Sequence, residues 1–133
     1  MMIHDVAQQI GEIFIYRRDA KSWIDHWSVM RLRNGEYFGD CDDYATTVLW
    51  HYYGGFFGFL WNVVILHRGQ YHKFITADGQ PHIVGSVDGK YFDNYTLDAL
   101  PKSKFLAKTG HRYLHRYYAP VFVFYLIHGI FRS

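Results

Sequence analysis

One cysteine, three prolines and no apolar run long enough for a membrane set the first limits on this chain. A single cysteine excludes an intramolecular disulfide and any cysteine-based zinc site. It fits a reducing compartment, where a lone thiol is free to serve as a nucleophile. The N-terminus, MMIHDVAQQI, places Asp5 early and lacks an apolar h-region, so no secretory signal is read there and a cytoplasmic location is expected. The most apolar segment, residues 120–131 (PVFVFYLIHGIF), is shorter than the ~20 residues a bilayer span needs. It also contains His128, and it reads as a buried strand or short helix; no membrane association is expected.

Acids are missing from the last third. After Asp98 the chain carries six bases and no Asp or Glu, although the overall net charge is only +2. Lys102, Lys104, Lys108, Arg112 and Arg116, with His111 and His115 between them, form either a surface for an acidic partner or a solvated face. No nucleic-acid motif accompanies them, and no nucleic-acid partner is expected.

What the chain has in quantity is aromatic: eleven Phe, twelve Tyr and four Trp in 133 residues. That length suits one domain over residues 1–133, and no repeat or linker divides it. Ile3, Val6, Ile10, Ile13 and Phe14 recur at helical spacing and predict a helix over residues 3–16. Trp23, Ile24, Trp27 and Met30 predict a second over 22–32, capped by Ser22 and ended by Asn34-Gly35. A loop over 34–39 follows. Cys41, Tyr44, Ala45, Val48, Leu49 and Tyr52 then mark one face of a third helix, with Asp40 at the N-cap position and Gly54-Gly55 as the stop.

Beyond Gly58 the reading changes to strands: residues 59–66, 70–76, 82–87 and 90–95, then 113–118 and 121–127, with a helix at the end left open. Helices followed by a run of antiparallel strands indicate an α+β fold in which the cysteine helix packs on the sheet.

The first turn of a helix offers free N–H groups and the positive end of the dipole, both of which favour a thiolate at Cys41. An imidazole partner would complete the nucleophile. His82 is the candidate, because Asp88-Gly89 is a two-residue type I′ turn signal that sets the register of its hairpin. In that register Gly85 faces Phe92, while His82 and Asp93 are diagonal neighbours on one face, about 7–8 Å apart at the backbone. A carboxylate there would hold the imidazole in one tautomer. A bulge would exchange Asp93 for Asn94, which is therefore the alternative third member. A lone cysteine on an apolar helix face is more often inert core. It is the conjunction of acidic cap, cysteine and His–Asp hairpin that favours the catalytic reading over the core one. His67 and His72 flank a turn without a third ligand and are expected in solvent, so no metal or other cofactor is assigned.

The motif GDCDDYA at residues 39–45, followed by HIVGSVDGKYFDN at 82–94, resembles the bacterial transglutaminase-like cysteine proteinases. The resemblance implies a papain- or transglutaminase-like α+β fold with Cys41 as nucleophile, His82 as base and Asp93 as orienter. It implies a cysteine peptidase or amidohydrolase acting on protein or peptide amides, with glutamine deamidation or transglutamination as variants of the same chemistry. Some relatives bind calcium through acids beside the nucleophile, and Asp40, Asp42 and Asp43 match that pattern. Dipole stabilisation of the helix start accounts for the same three acids and is preferred. Trp27, Asn34 and Tyr37 are the candidates for a second oxyanion donor beside the Cys41 amide. The rival function is a binding module on the same fold that acts by occupying a partner.

Overall fold

In the computed structural model, residues 2–16, 27, 29, 30, 32–94, 96, 98–118 and 121–132 are described. Ile3–Glu12 form α1, whose Ile3, Val6, Ala7 and Ile10 are buried. The helix ends four residues before the predicted stop, because Phe14–Tyr16 form strand β1. Leu32–Arg33 (β2) and Glu36–Gly39 (β3) make a hairpin, and β1 joins it in parallel, with Phe14 opposite Tyr37. The predicted loop over 34–39 is thus mostly strand. Asn34 (φ 53) and Gly35 (φ 78) turn the chain between two strands instead of stopping a helix.

The helix predicted over 22–32 is not found where it can be described. Trp27, Val29 and Met30 lie in no helix and Leu32 opens β2; residues 22–26, 28 and 31 lie outside the described residues. The physical reason is tertiary. Trp27 N–H donates to the Tyr125 carbonyl at 3.0 Å and Met30 N–H to Thr47 Oγ1 at 2.8 Å, so neither amide is spent within a helix.

Helix α2, Cys41–Tyr52, begins where its sequence pattern places it. Asp40 Oδ1 accepts from Asp43 N–H, and Asp43 Oδ2 accepts from Asp40 N–H, which makes a reciprocal capping box. The helix is buried on more than its apolar stripe: Asp42, Thr46 and Thr47 are buried as well. Thr46 Oγ1 meets Tyr71 OH at 2.9 Å, and Thr47 Oγ1–H donates to the Asp43 carbonyl at 2.8 Å, so the threonines are satisfied inside.

The run predicted as a strand over 59–66 is helical. Phe56–Phe59 form α3 and Leu60–Ile65 continue it as a π-helical stretch. Only Phe59 and Val63, four residues apart, are buried, whereas Phe57, Trp61 and Ile65 face solvent. A run with one inward residue per turn suits a helix lying on the core better than a strand.

Five antiparallel strands make the main sheet: Gly69–Ile75 (β4), Pro81–Val87 (β5), Lys90–Phe92 (β6), Leu100–Pro101 (β7) and Arg112–Tyr117 (β8), in the order β7-β6-β5-β4-β8. Between β7 and β8 lies α4, Lys102–Thr109, which the sequence reading missed; Gly110 ends it in the left-handed region at φ 71. Val121–Arg132 form α5, so the strand predicted over 121–127 is instead the helix left open there. One core joins α1, α2 and one face of the sheet through Tyr44, Val48, Leu49, Tyr71, Ile83 and Val87. A smaller one, Phe74, Val84 and Phe105, lies on the other face under α4. No helix among the described residues is long and apolar enough to cross a membrane.

Candidate active site

The hairpin β5–β6 has the register its turn dictates. Asp88 (φ 50) and Gly89 (φ 81) occupy the two central positions, and Val87 pairs with Lys90, Ser86 with Tyr91 and Gly85 with Phe92. No bulge interrupts this pairing; the one register shift of the sheet lies between β4 and β8, at Lys73/Phe74. His82 and Asp93 are brought together. His82 Nε2–H donates to Asp93 Oδ2 at 2.8 Å, and both side chains are buried. It is Asp93 and not Asn94 that meets His82.

Cys41 reaches this place from the other side of the chain. In a two-residue hairpin, pairs that exchange hydrogen bonds alternate with pairs that do not. Val87–Lys90 and Gly85–Phe92 are bonded pairs by that count, and Ile83 would be the next. But β6 stops at Phe92, and Ile83 N–H donates to Cys41 Sγ at 3.4 Å instead. The thiol therefore takes a ladder position beside the residue that directly follows His82.

The electrostatics of the thiol differ from the sequence expectation. Burial pushes Cys41 up to about 12, with the charges of Asp40 and Asp43 adding to the rise; the N–H groups of Ile83 and Asp42 act against it. The resting group is a thiol, not a thiolate. The helix start favours an anion, but here it is crowded with carboxylates that oppose one.

Asp93 behaves in the opposite way. Burial alone would raise it, but hydrogen bonds from His111 and His82, the His82 charge and the Thr96 amide outweigh burial and hold it well below the usual carboxylate range. His111, which falls in the basic stretch after Asp98, lies inside and not on a solvated face. Its Nε2 lies 3.1 Å from Asp93 Oδ2, and its ring is 5.0 Å from that of His82. Nothing local in the sequence marks it, since it arrives from the α4–β8 junction, eighteen residues beyond Asp93.

His72 is likewise buried and not in solvent. Its Nε2 meets Ser86 Oγ at 2.7 Å and its Nδ1 meets Tyr113 OH at 3.3 Å. Of the three oxyanion candidates, Asn34 sits exposed in the β2–β3 turn. Tyr37 uses its amide on the Ile13 carbonyl and its hydroxyl on His51. Trp27 keeps a buried Nε1–H without a partner, its ring packed on Tyr71, Tyr117 and Tyr125.

Asp40, Asp42 and Asp43 converge, each offering an oxygen within 4.8 Å of the others. Burial, the Asp40 side chain and the neighbouring negative charges push Asp42 well above the ordinary range, and its Oδ1 is buried without a hydrogen-bond partner. An all-oxygen set with an unsatisfied buried oxygen fits a hard cation such as calcium. Asp40 and Asp43 also serve the capping box, as the dipole reading requires.

The fold is α+β: helix α2, which begins at Cys41, packs on an antiparallel sheet that carries His82 on β5, with Asp93 just past the end of β6. Among solved structures, EGTA-treated LapG of Legionella pneumophila, a bacterial transglutaminase-like cysteine protease, is similar in fold to this chain with a TM-score of 0.57 at 17% identity. The likeness covers 88% of this chain and 62% of that one, so this chain spans under two thirds of the length of LapG. No family model matches the sequence, and no curated protein does.

Proposed function

We propose that this protein is a thiol-dependent acyl-transfer enzyme, a hydrolase of protein or peptide amide bonds, with Cys41 as nucleophile, His82 as base and Asp93 as orienter. The observation that carries the reading is the placement of the Cys41 sulfur on the amide of Ile83, the residue that follows a histidine already held by a buried carboxylate. Because the Asp93 carboxylate only accepts, His82 carries its proton on Nε2 and presents Nδ1 as the basic nitrogen.

With the thiol protonated at rest, the proton moves during attack. The Cys41 S–H proton passes to His82 Nδ1 as sulfur bonds to the amide carbonyl carbon. The imidazolium then gives that proton to the departing nitrogen, the C–N bond breaks and a thioester remains. Water adds to the thioester, sulfur leaves, and the thiol regains a proton. Asp93, ionised throughout, stabilises the transient imidazolium. A calcium ion held by Asp40, Asp42 and Asp43 would supply positive charge beside the sulfur and offset the acids that oppose a thiolate.

The test is acyl transfer from p-nitrophenyl acetate, followed by nitrophenolate release and by the intact mass of the protein. Wild type should gain one acetyl group on Cys41 and turn over. Cys41→Ser should do neither, and His82→Ala should slow acetylation about a hundredfold with its fold retained. Release from wild type no faster than from Cys41→Ser would overturn the reading and favour a binding module on this fold.

A further inference from the structure

A buried carboxylate that orients one imidazole has no evident need of two. Asp93 is nevertheless saturated: Oδ2 accepts from His82 Nε2 at 2.8 Å and from His111 Nε2 at 3.1 Å, while Oδ1 accepts from Thr96 N–H at 2.8 Å and Thr96 Oγ1–H at 3.0 Å. The two oxygens are held by different parts of the chain. Thr96 belongs to the turn just after Asp93, whereas His111 comes from beyond α4.

His111 is itself set by local structure. Gly110 ends α4 in the left-handed region, which turns the chain toward β8, and Thr109 Oγ1 accepts the His111 N–H at 3.1 Å. The ring stands edge-on to Phe74 and Phe105, at 6.3 Å and 6.0 Å between centroids. These contacts leave it one orientation toward Asp93.

We infer that His111 is a positioning residue: its Nε2–H pins Asp93 Oδ2 so that the carboxylate cannot rotate about the Thr96-held oxygen, and His82 keeps its aim at Cys41. This rests on the acyl-transfer reading. His111 acts through Asp93. Removing its N–H takes one of the two imidazole donors from that oxygen, and the pair gains freedom to turn.

Two substitutions separate the hydrogen bond from the packing. His111→Phe keeps a ring against Phe74 and Phe105 but has no donor. His111→Gln loses the ring but keeps a terminal N–H donor. Acetylation of Cys41 by p-nitrophenyl acetate should fall about tenfold or more in His111→Phe, as for losses of orienting partners elsewhere, and be largely recovered in His111→Gln. Thermal melting of both variants shows whether they are folded. If His111→Phe reacts like wild type, or if both variants fall together, the positioning role is overturned. If wild type itself never acetylates Cys41, the acyl-transfer reading fails first and the role of His111 falls with it. Activity in wild type with no response to either variant removes His111 alone.

Discussion

Gly85 and Phe92 face each other across the β5–β6 hairpin, and the Phe92 ring occupies the space a side chain on residue 85 would need. A Cβ built on Gly85 would lie 2.5 Å from Phe92 Cζ. Phe92 is fully buried and immediately precedes Asp93, so the ring anchors the strand end that delivers the carboxylate. Gly85→Ala should therefore overpack the hairpin and cost about 1–3 kcal/mol of stability, measured by urea unfolding. It should slow Cys41 acetylation too, since the displaced ring carries Asp93 with it. An unchanged unfolding midpoint would show that the ring moves aside freely.

Asp93 depends on Thr96 as well. Thr96→Val keeps the backbone N–H on Oδ1 but removes the Oγ1–H donor. The expected result is a loss of about 1 kcal/mol in stability and an acid unfolding midpoint moved to higher pH. The sign follows from the depressed native pKa of Asp93: the stability it contributes is present above the unfolded value and lost as pH falls toward the native one. Fewer donors bring the native value closer to the unfolded one. A pH scan of circular dichroism reads the shift.

His72 titrates in the opposite environment. Burial, with Arg116 and Lys102 nearby, pushes it down to about 3 from an ordinary value of 6.5. The unfolded chain then binds a proton that the folded chain refuses, so stability is complete above pH 6.5 and falls as pH drops toward 3. His72→Phe should cost about 1–2 kcal/mol at neutral pH by leaving Ser86 Oγ and Tyr113 OH unpaired. It should also flatten the decline, so that the gap to wild type narrows by pH 4. Parallel stability curves for the two proteins across that range would refute the assignment.

Asp42 makes a third pH-dependent contribution. Its folded-state pKa is raised, so ionising it above the unfolded value works against the fold. Asp42→Asn, compared with wild type in the presence of EGTA so that no divalent cation intervenes, should raise the melting temperature at pH 7. The difference should shrink as pH falls through about 4, the unfolded value, below which the carboxyl is neutral in both folded and unfolded chains. A lower melting temperature at pH 7 would mean that the ionised carboxylate is satisfied in the folded protein.

The parts legible in the sequence were those where one local signal fixes geometry. Asp88-Gly89 admits a single common turn type, and from it the pairing of Gly85 with Phe92 and the meeting of His82 with Asp93 followed by counting. Asp40 and the period of Cys41, Tyr44 and Val48 placed the start of α2 in the same way. Asn34-Gly35 is the same kind of signal, but its flanking strands are short and lean on β1, which comes from a distant part of the chain. Residues 59–66 were ambiguous because an apolar run carries no period, and only the environment decides which of its residues are covered. Helix α4 had its stop at Gly110 but no apolar stripe strong enough to suggest it. His111 and His72 were invisible for a simpler reason: their partners lie across the sheet, and no spacing along the chain encodes them.

The bond from Ile83 to Cys41 spans 42 residues, and that separation bears on when the site comes into being. The β5–β6 hairpin closes a short loop and helix α2 forms from neighbours, so either can appear early and alone. Docking one on the other closes a long loop and comes later in folding. Until then the thiol lacks its place on the Ile83 amide. On the proposed reading, a chain still folding therefore cannot attack its own amide bonds or those of its neighbours, and reactivity should emerge together with the slowest phase of refolding.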